Sequence, residues 1–103
     1  MNIQHHEVGF KLTDDERIHM AEKLGHLAHY CKYMMDESTK IIVTSELRDT
    51  EKAKDRMKVS ITIEFHNETE RADSRREMLL AAFDRCIEKL EPQVKRYKEK
   101  HSH

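Results

Sequence analysis

The sequence predicts an α+β fold in the order β-α-β-β-β-α, with one four-stranded sheet and two helices packed on one face of it. One observation is a strand-like alternation of apolar and polar residues, with apolar positions at Met57, Val59, Ile61, Ile63 and Phe65. Another is the recurrence of apolar residues every three or four positions in two longer segments, which is typical of amphipathic helices. Only 2 Gly and 1 Pro occur among 103 residues, so regular elements must take up most of the chain. This length suits a single domain over residues 1–103.

Four segments rich in β-branched or alternating residues predict the strands. Gly9 introduces an irregularity into the first strand. The fourth strand is short and polar, which suits the edge of a sheet. The predicted strands are residues 2–6 continuing over residues 8–12, residues 40–48, residues 56–65 and residues 69–73.

Two capping patterns predict where the helices begin. Thr13 and Glu16 form a capping box, and the helix after it runs to about residues 33–35. Ser74, with Glu77 three residues later, predicts the start of the last helix. Gly25 inside the first helix costs about 1 kcal/mol relative to Ala, and a close approach to the sheet is one reason for a glycine there. The apolar stripes are Met20, Ala21, Leu24, Leu27, Ala28, Cys31 and Met34 in the first helix, and Leu79, Leu80, Phe83, Cys86, Ile87, Leu90, Val94 and Tyr97 in the last.

Pro92 lies within the last helical pattern. Proline removes one backbone hydrogen bond and costs about 3 kcal/mol inside a helix. Either the helix kinks at Pro92, or it stops and restarts with Pro92 in a first turn. The apolar spacing continues through Val94 and Tyr97, which favours the kink.

The cations of the last helix are sorted onto one side, although the formal net charge of the chain is only -1. At about 100° per residue, they share a strip beside the apolar arc, while most acidic residues take the opposite flank. The strip consists of Arg85, Lys89, Arg96 and Lys100. His19, Lys23 and His26 share one flank of the first helix. If the helices pack side by side, both flanks border one positive groove.

Such a strip, with Tyr30 and Tyr97 nearby, suits a phosphate backbone. Arg75 and Arg76, at the predicted start of the last helix, oppose the helix macrodipole, which favours a function for them. The alternative is a solvated charged face, because pairs of opposite charges four residues apart support helices without any partner. The pattern alone leaves both interpretations open.

Several other classes of protein are disfavoured. His26, His29 and Cys31 form the closest cluster of metal-ligand types, but Cys31 lies on the apolar side and no second ligand set exists, so no metal and no cofactor are predicted. Catalytic motifs are absent, so we do not predict an enzyme. No apolar run could span a membrane and no signal peptide is evident, which predicts a cytoplasmic protein. Cys31 and Cys86 are predicted to be buried, reduced thiols.

Several strings resemble the short ribosome hibernation promoting factors, which include the ribosome-associated inhibitor A type of the sigma-54 modulation protein family. The similarity covers the chain from about Ile3 to Lys100. It is carried by Leu12-Thr13, by residues 17–27 (RIHMAEKLGHL), by Ala81-Ala82-Phe83-Asp84, which resembles the family's Ala-Ala-Ile-Asp, and by residues 87–96 (IEKLEPQVKR). The chain departs from the family at Met78, Leu79 and Leu80, where an acidic-Met-Tyr run is usual. It departs also at Pro92, where a basic residue is common.

This resemblance implies a fold close to a double-stranded-RNA-binding domain and binding to the small ribosomal subunit near the decoding centre. Its partners would be the 30S subunit and the 70S ribosome, through 16S rRNA, and the protein would block mRNA and tRNA access under stress. A separate ribosome modulation factor is a further implied partner, and away from the ribosome the chain would be a monomer. Lys23, Lys89, Arg96 and Lys100 lie where the family commonly has basic residues, and His26 lies where lysine is common. The alternative function is a protein-interaction module that uses a strand edge and the acidic helix flank without RNA.

Overall fold

The computed structural model describes residues 1–101, so the last two residues of the predicted domain lie outside the described part. The order of the main elements is β-α-β-β-β-α, as predicted. The strands are β1 (Asn2–Val8), β2 (Lys40–Leu47), β3 (Met57–Glu64) and β4 (Thr69–Arg76). The helices are α1 (Asp14–Ala28) and α2 (Leu79–His101), and short 3₁₀ turns occupy Lys32–Met35 and Ala53–Asp55.

The four strands form one sheet in the order β1-β2-β3-β4. β1 is parallel to β2, because α1 carries the chain back between them, whereas the β2–β3 and β3–β4 pairs are antiparallel. Ile41 pairs with Ile63 and Val43 with Ile61, so the buried side chains of the central strands lie in register.

The core lies between the sheet and the two helices. Alternate residues of β2 and β3 point toward the helices and are buried, while the opposite face of the sheet is polar. Burial of these apolar side chains is the dominant favourable contribution to folding. The largest fully buried side chains include Phe83, Met20, Leu24, Leu27, Met34, Ile41, Ile61, Ile63 and Leu90. Both cysteines are buried, as predicted.

The first strand ends earlier than predicted, at Val8. Gly9 has a φ of +84°, which ends the extended backbone. A Cβ atom there would lie 3.1 Å from the carbonyl oxygen of Leu47, so both conformation and space require glycine.

The first helix also ends earlier than predicted. The Thr13–Glu16 capping box is present, but α1 stops at Ala28 because Cys31 adopts an extended conformation. Cys31 and Met34 are still fully buried, since a 3₁₀ turn carries Met34 into the core. A spacing of three residues fits an α-helix and a 3₁₀ turn alike, so the apolar pattern could not distinguish them.

The prediction that Ser74 caps the last helix is wrong. Ser74 lies inside β4, which continues to Arg76, and it pairs with Val59 of β3. The side chain of Ser74 faces the helices and is buried, which is the alternation of a strand. Arg75 and Arg76 therefore lie at the end of a strand, and the argument from the helix macrodipole does not apply to them.

α2 is continuous through Pro92, so the alternative in which the helix stops and restarts is wrong. Pro92 is on the exposed side, and the apolar face continues past it to Val94 and Tyr97, both buried. Gly25 does not serve a close approach to the sheet, because no neighbouring atom of the described residues lies within 4 Å of the place where its Cβ would be.

Candidate nucleic-acid interface

The side of α2 that carries the predicted basic strip faces the edge of β4. The Nζ of Lys89 donates a hydrogen bond to the carbonyl oxygen of Asp73 at 2.7 Å. The Nε2 of Gln93 donates to the carbonyl oxygen of Arg71 at 3.2 Å. These bonds occupy backbone acceptors that an edge strand otherwise offers to another chain.

The opposite side of α2 faces α1. The Nε2 of His19 lies 2.9 Å from the Oδ1 of Asp84, and the imidazole packs edge-on against Phe83. The Nζ of Lys95 lies 4.3 Å from the centre of the Tyr30 ring. The predicted positive groove between the basic flanks of the two helices is therefore not formed. A helical wheel orders the flanks of one helix, but it does not show on which side the other helix packs.

The C-terminal half of the strip is balanced by acidic residues. The Nζ of Lys100 lies 3.6 Å from the Oε1 of Glu68. A hydrogen bond with Glu70 lowers the pKa of Glu68, and His101 and Lys100 lower it further. Burial raises the pKa of Glu70, with the neighbouring Glu68 adding to the rise, while Lys100 and Arg96 act in the opposite direction. Arg96 and Lys100 are thus exposed but lie in the field of two carboxyl groups.

The N-terminal half of the strip lies beside Arg76, at the end of β4. Burial raises the pKa of the Cys86 thiol to about 11, and the charges of Lys89, Arg76 and Arg85 oppose this rise. These three cations therefore lie near the Cys86 thiol. Arg75 pairs with Lys58 and, by the alternation of β4, points to the face of the sheet away from the helices. We name Arg76, Arg85 and Lys89 the basic patch; all three side chains are exposed.

The basic patch retains its charge toward solvent. Arg85 pairs with Glu88 at 3.0 Å, and Lys89 bonds a neutral carbonyl rather than a carboxylate. The Arg85–Glu88 pair is about half exposed, and such pairs contribute only about 0–1 kcal/mol. A phosphate group can therefore replace Glu88 at little cost.

The predicted cations of α1 have unequal surroundings. His19 is partly buried and engaged by Asp84, so it fixes α1 against α2. Lys23 is half-buried and His26 is exposed on the same flank. The structure thus leaves Lys23 and His26 accessible beside the helix–helix contact.

The sequence analysis did not identify a second cluster of charged and aromatic side chains. A cleft of about 310 Å³ opens between the end of α1 and the C-terminal half of α2, and we name it the interhelix cleft. It is lined by His29, Tyr30, Lys95, Lys98 and Glu99. On the helical wheel Lys95 and Lys98 fall among acidic residues, which concealed them. Their spacing of three residues on one flank was the available signal.

Tyr97 does not border an RNA surface. It is only 3% exposed and stacks on Phe65 with ring centres 3.8 Å apart. Tyr30, in contrast, is 41% exposed. Tyr30 is thus the accessible member of the two tyrosines that the sequence had placed near the basic strip.

Other kinds of site find little support in residues 1–101. Within this part of the chain, no group of three or more His, Cys, Asp or Glu side chains is arranged to hold a metal ion. None of the helices described there is sufficiently long and apolar to cross a membrane.

The fold and the charged surfaces define the class of protein: a small α+β domain with a mixed four-stranded sheet, two helices on one face and a basic patch at one end. The chain belongs to the family described as Sigma 54 modulation protein / S30EA ribosomal protein, whose model matches residues 2–102. This match confirms the resemblance found in the sequence. The family consists of ribosome-associated modulation factors and is not a known class of enzyme.

Solved structures confirm the fold. The N-terminal domain of Protein Y from Thermus thermophilus is 26% identical, with a TM-score of 0.76, and the match covers 94% of this chain and 99% of that chain. A ribosomal subunit interface protein from Coxiella burnetii is 21% identical, with a TM-score of 0.78, and covers 96% and 99% respectively. At this lower identity the likeness concerns the fold alone. No curated protein sequence matches the chain.

Proposed function

We propose that this protein binds the small ribosomal subunit on 16S rRNA near the decoding centre and blocks access of mRNA and tRNA. The observation that carries the proposal is the family match over residues 2–102. The partners would be the 30S subunit and the 70S ribosome, in the cytoplasm. A separate ribosome modulation factor remains a further candidate partner, and the free protein would be a monomer.

The basic patch is the proposed main contact with rRNA. Arginine and lysine side chains on phosphates release condensed counterions, which is the principal source of affinity for a nucleic-acid backbone. Lys23 and His26 would add contacts from α1. Arg96 and Lys100 would contribute less, because Glu68 and Glu70 compete with phosphate for them. His19 would act indirectly, by holding α1 on α2.

The mechanism is occupancy and requires no bond to be made or broken. The sheet and the buried face of α2 hold the backbone of the cations on a rigid body, so little backbone conformational entropy is lost on binding. A domain measuring 49 × 23 × 19 Å would then stand where mRNA and tRNA pass. Inhibition would follow from exclusion alone.

Co-sedimentation with isolated 30S subunits and 70S ribosomes tests the proposal. We expect the protein to comigrate with both at low salt and to dissociate as salt rises. Arg76→Glu/Arg85→Glu should weaken the association at least tenfold. Lys11→Glu/Lys40→Glu is the matched control, since it makes the same charge change at exposed positions outside the patch.

The outcomes separate this function from the alternative, a module that recruits a protein through a strand edge. Contacts through an edge change little with salt, and β4 already has two of its carbonyl oxygens occupied by α2. If the protein remained at the top of the gradient at low salt, ribosome binding would be refuted. If both double variants weakened binding equally, the basic patch would not be the contact.

A further inference from the structure

The interhelix cleft is separate from the basic patch. Arg85 and Lys98 are thirteen residues apart on α2, which corresponds to about 20 Å along a helix. The cleft holds about 310 Å³ and is open to solvent, a volume at the lower end of the range for small-ligand sites. Its walls combine one aromatic ring with several charged groups.

Tyr30 is the feature that distinguishes this cleft from a charged surface. The other two tyrosines have structural roles: Tyr97 is buried against Phe65, and the hydroxyl of Tyr33 donates to the carbonyl oxygen of His101 at 2.6 Å. Tyr30 follows the end of α1 and is 41% exposed. Burying an aromatic ring is favourable. The Nζ of Lys95 lies over this ring, and its exposed remainder is left for a planar ligand.

The cations of the cleft are available for exchange. Lys95 lies over the Tyr30 ring at 4.3 Å and is 3.6 Å from the Oε2 of Glu91. Both side chains of that ion pair are more than 40% exposed, and pairs of this kind are weak and screened by salt. Lys98 borders the same space together with His29 and Glu99. Two ammonium groups thus flank an exposed ring, against one carboxylate in the lining.

We propose that the interhelix cleft binds one unpaired nucleotide of an RNA strand. The base stacks on the exposed part of the Tyr30 ring, and its phosphate lies between Lys95 and Lys98. An aromatic platform beside lysines is the combination by which proteins hold single strands. This inference rests on the proposed function and adds to it a second contact that selects unpaired rRNA.

Single strands are favoured over duplexes for a physical reason. Bases in a duplex are already stacked on their neighbours, so they cannot offer a free face to Tyr30 without unpairing. A phosphate ion would use the lysines but not the ring. Preference for a single strand is therefore the property that separates a nucleotide site from a general cationic surface.

The test is titration of ¹⁵N-labelled protein, followed by NMR, with hexauridylate, with an RNA duplex of the same phosphate count and with inorganic phosphate. We expect saturable shifts at Tyr30, Lys95 and Lys98 with hexauridylate and much smaller ones with the duplex or phosphate. The affinity for hexauridylate, obtained from these shifts, should fall about tenfold in Tyr30→Leu. It should be unchanged in Tyr30→Phe, which keeps the ring. Lys95→Gln/Lys98→Gln should also lower this affinity, and the control Lys11→Gln/Lys40→Gln should leave it unchanged.

Equal binding of duplex and single strand at the cleft, or equal effects of Tyr30→Leu and Tyr30→Phe, would overturn the inference. The same variants are then sedimented with 30S subunits. If Tyr30→Leu binds subunits as tightly as Tyr30→Phe, the cleft is not an rRNA contact, although ribosome binding itself stands. If the wild type binds hexauridylate at the cleft but not the ribosome, the proposed function fails while the nucleotide site remains.

Discussion

The two glycines of the chain have opposite surroundings, and each makes a prediction at the scale of a single residue. Around Gly25, among residues 1–101, no neighbouring atom lies within 4 Å of the position that a Cβ atom would occupy, so Gly25→Ala should raise the free energy of unfolding by about 1 kcal/mol. At Gly9 the positive φ and the 3.1 Å distance to Leu47 disfavour any side chain. Gly9→Ala should lower the free energy of unfolding by about 1–2 kcal/mol. Urea denaturation measures both, and destabilisation by Gly25→Ala would mean that a hidden close contact exists there.

His5 makes a residue-scale prediction about pH. Burial lowers the pKa of His5, and the Arg17 charge lowers it further; its Nδ1 is buried without a partner in the described structure. The unfolded chain therefore binds the proton of His5 more readily than the folded protein, with a pKa of ~6.5. The free energy of unfolding is thus highest above that pH and falls as the pH decreases below it. His5→Gln should remove this loss.

The measurement for His5 is urea unfolding of wild type and His5→Gln at pH 7.5 and pH 5.5. His19 and His101 pair with carboxylates in both proteins, so only the difference between the two proteins reports on His5. At pH 5.5 the free energy of unfolding of His5→Gln should rise relative to that of the wild type. A difference that is the same at both pH values would show that His5 titrates equally in the folded and unfolded chain.

Among the elements, α2 carries the clearest local conflict. Pro92 lies inside a continuous helix of 23 residues and is exposed. Proline in a helix interior costs about 3 kcal/mol, while restricting the unfolded chain returns about 0.4–1 kcal/mol. Pro92→Ala should therefore raise the free energy of unfolding by roughly 2 kcal/mol. Urea denaturation tests this, with Glu99→Ala as an exposed control on the same helix, and no gain would mean that the surrounding helix has adapted to the proline.

The elements also show what the sequence could predict. Alternation in β3 and the apolar stripe of α2 defined the core, because burial repeats with the period of each element. The ends were less predictable: Ser74 has the side chain of a helix cap but the pairing of a strand. That choice depends on Val59, a residue distant in sequence.

The sequence predicted individual residues of the candidate site better than it predicted how they are arranged on the surface. The helical wheel identified the strip of α2, and the structure brings part of it together with Arg76 into the basic patch, whereas Arg75 lies on the other face of the sheet. The helical wheel could not show that α1 packs against the other flank of α2, where His19 contacts Asp84. The partners Glu68 and Asp73 come from β4 and the turn before it, so their effect on Lys100 and Lys89 required the tertiary structure.

At the scale of the whole molecule, charge is distributed unevenly although the net charge is -1. The basic patch lies at the N-terminal end of α2, the interhelix cleft at its C-terminal end, and the carboxylates that balance the cations lie between them and on the turn before β4. A nucleic acid therefore meets two separate positive sites rather than one continuous groove. Contacts at separate sites should contribute additively to the salt dependence of binding.

The salt dependence of ribosome binding measures this arrangement. Each lost phosphate contact should reduce the slope of log K against log salt concentration by about 0.7–0.9. Arg76→Gln/Arg85→Gln and Lys95→Gln/Lys98→Gln should each lower the slope by about 1.4–1.8, and the four changes together by about twice that amount. Lys40→Gln, on the uncovered face of the sheet, should leave it unchanged. A fall in affinity with an unaltered slope would mean that these cations act on the fold and not on phosphate, because only displaced counterions change the slope.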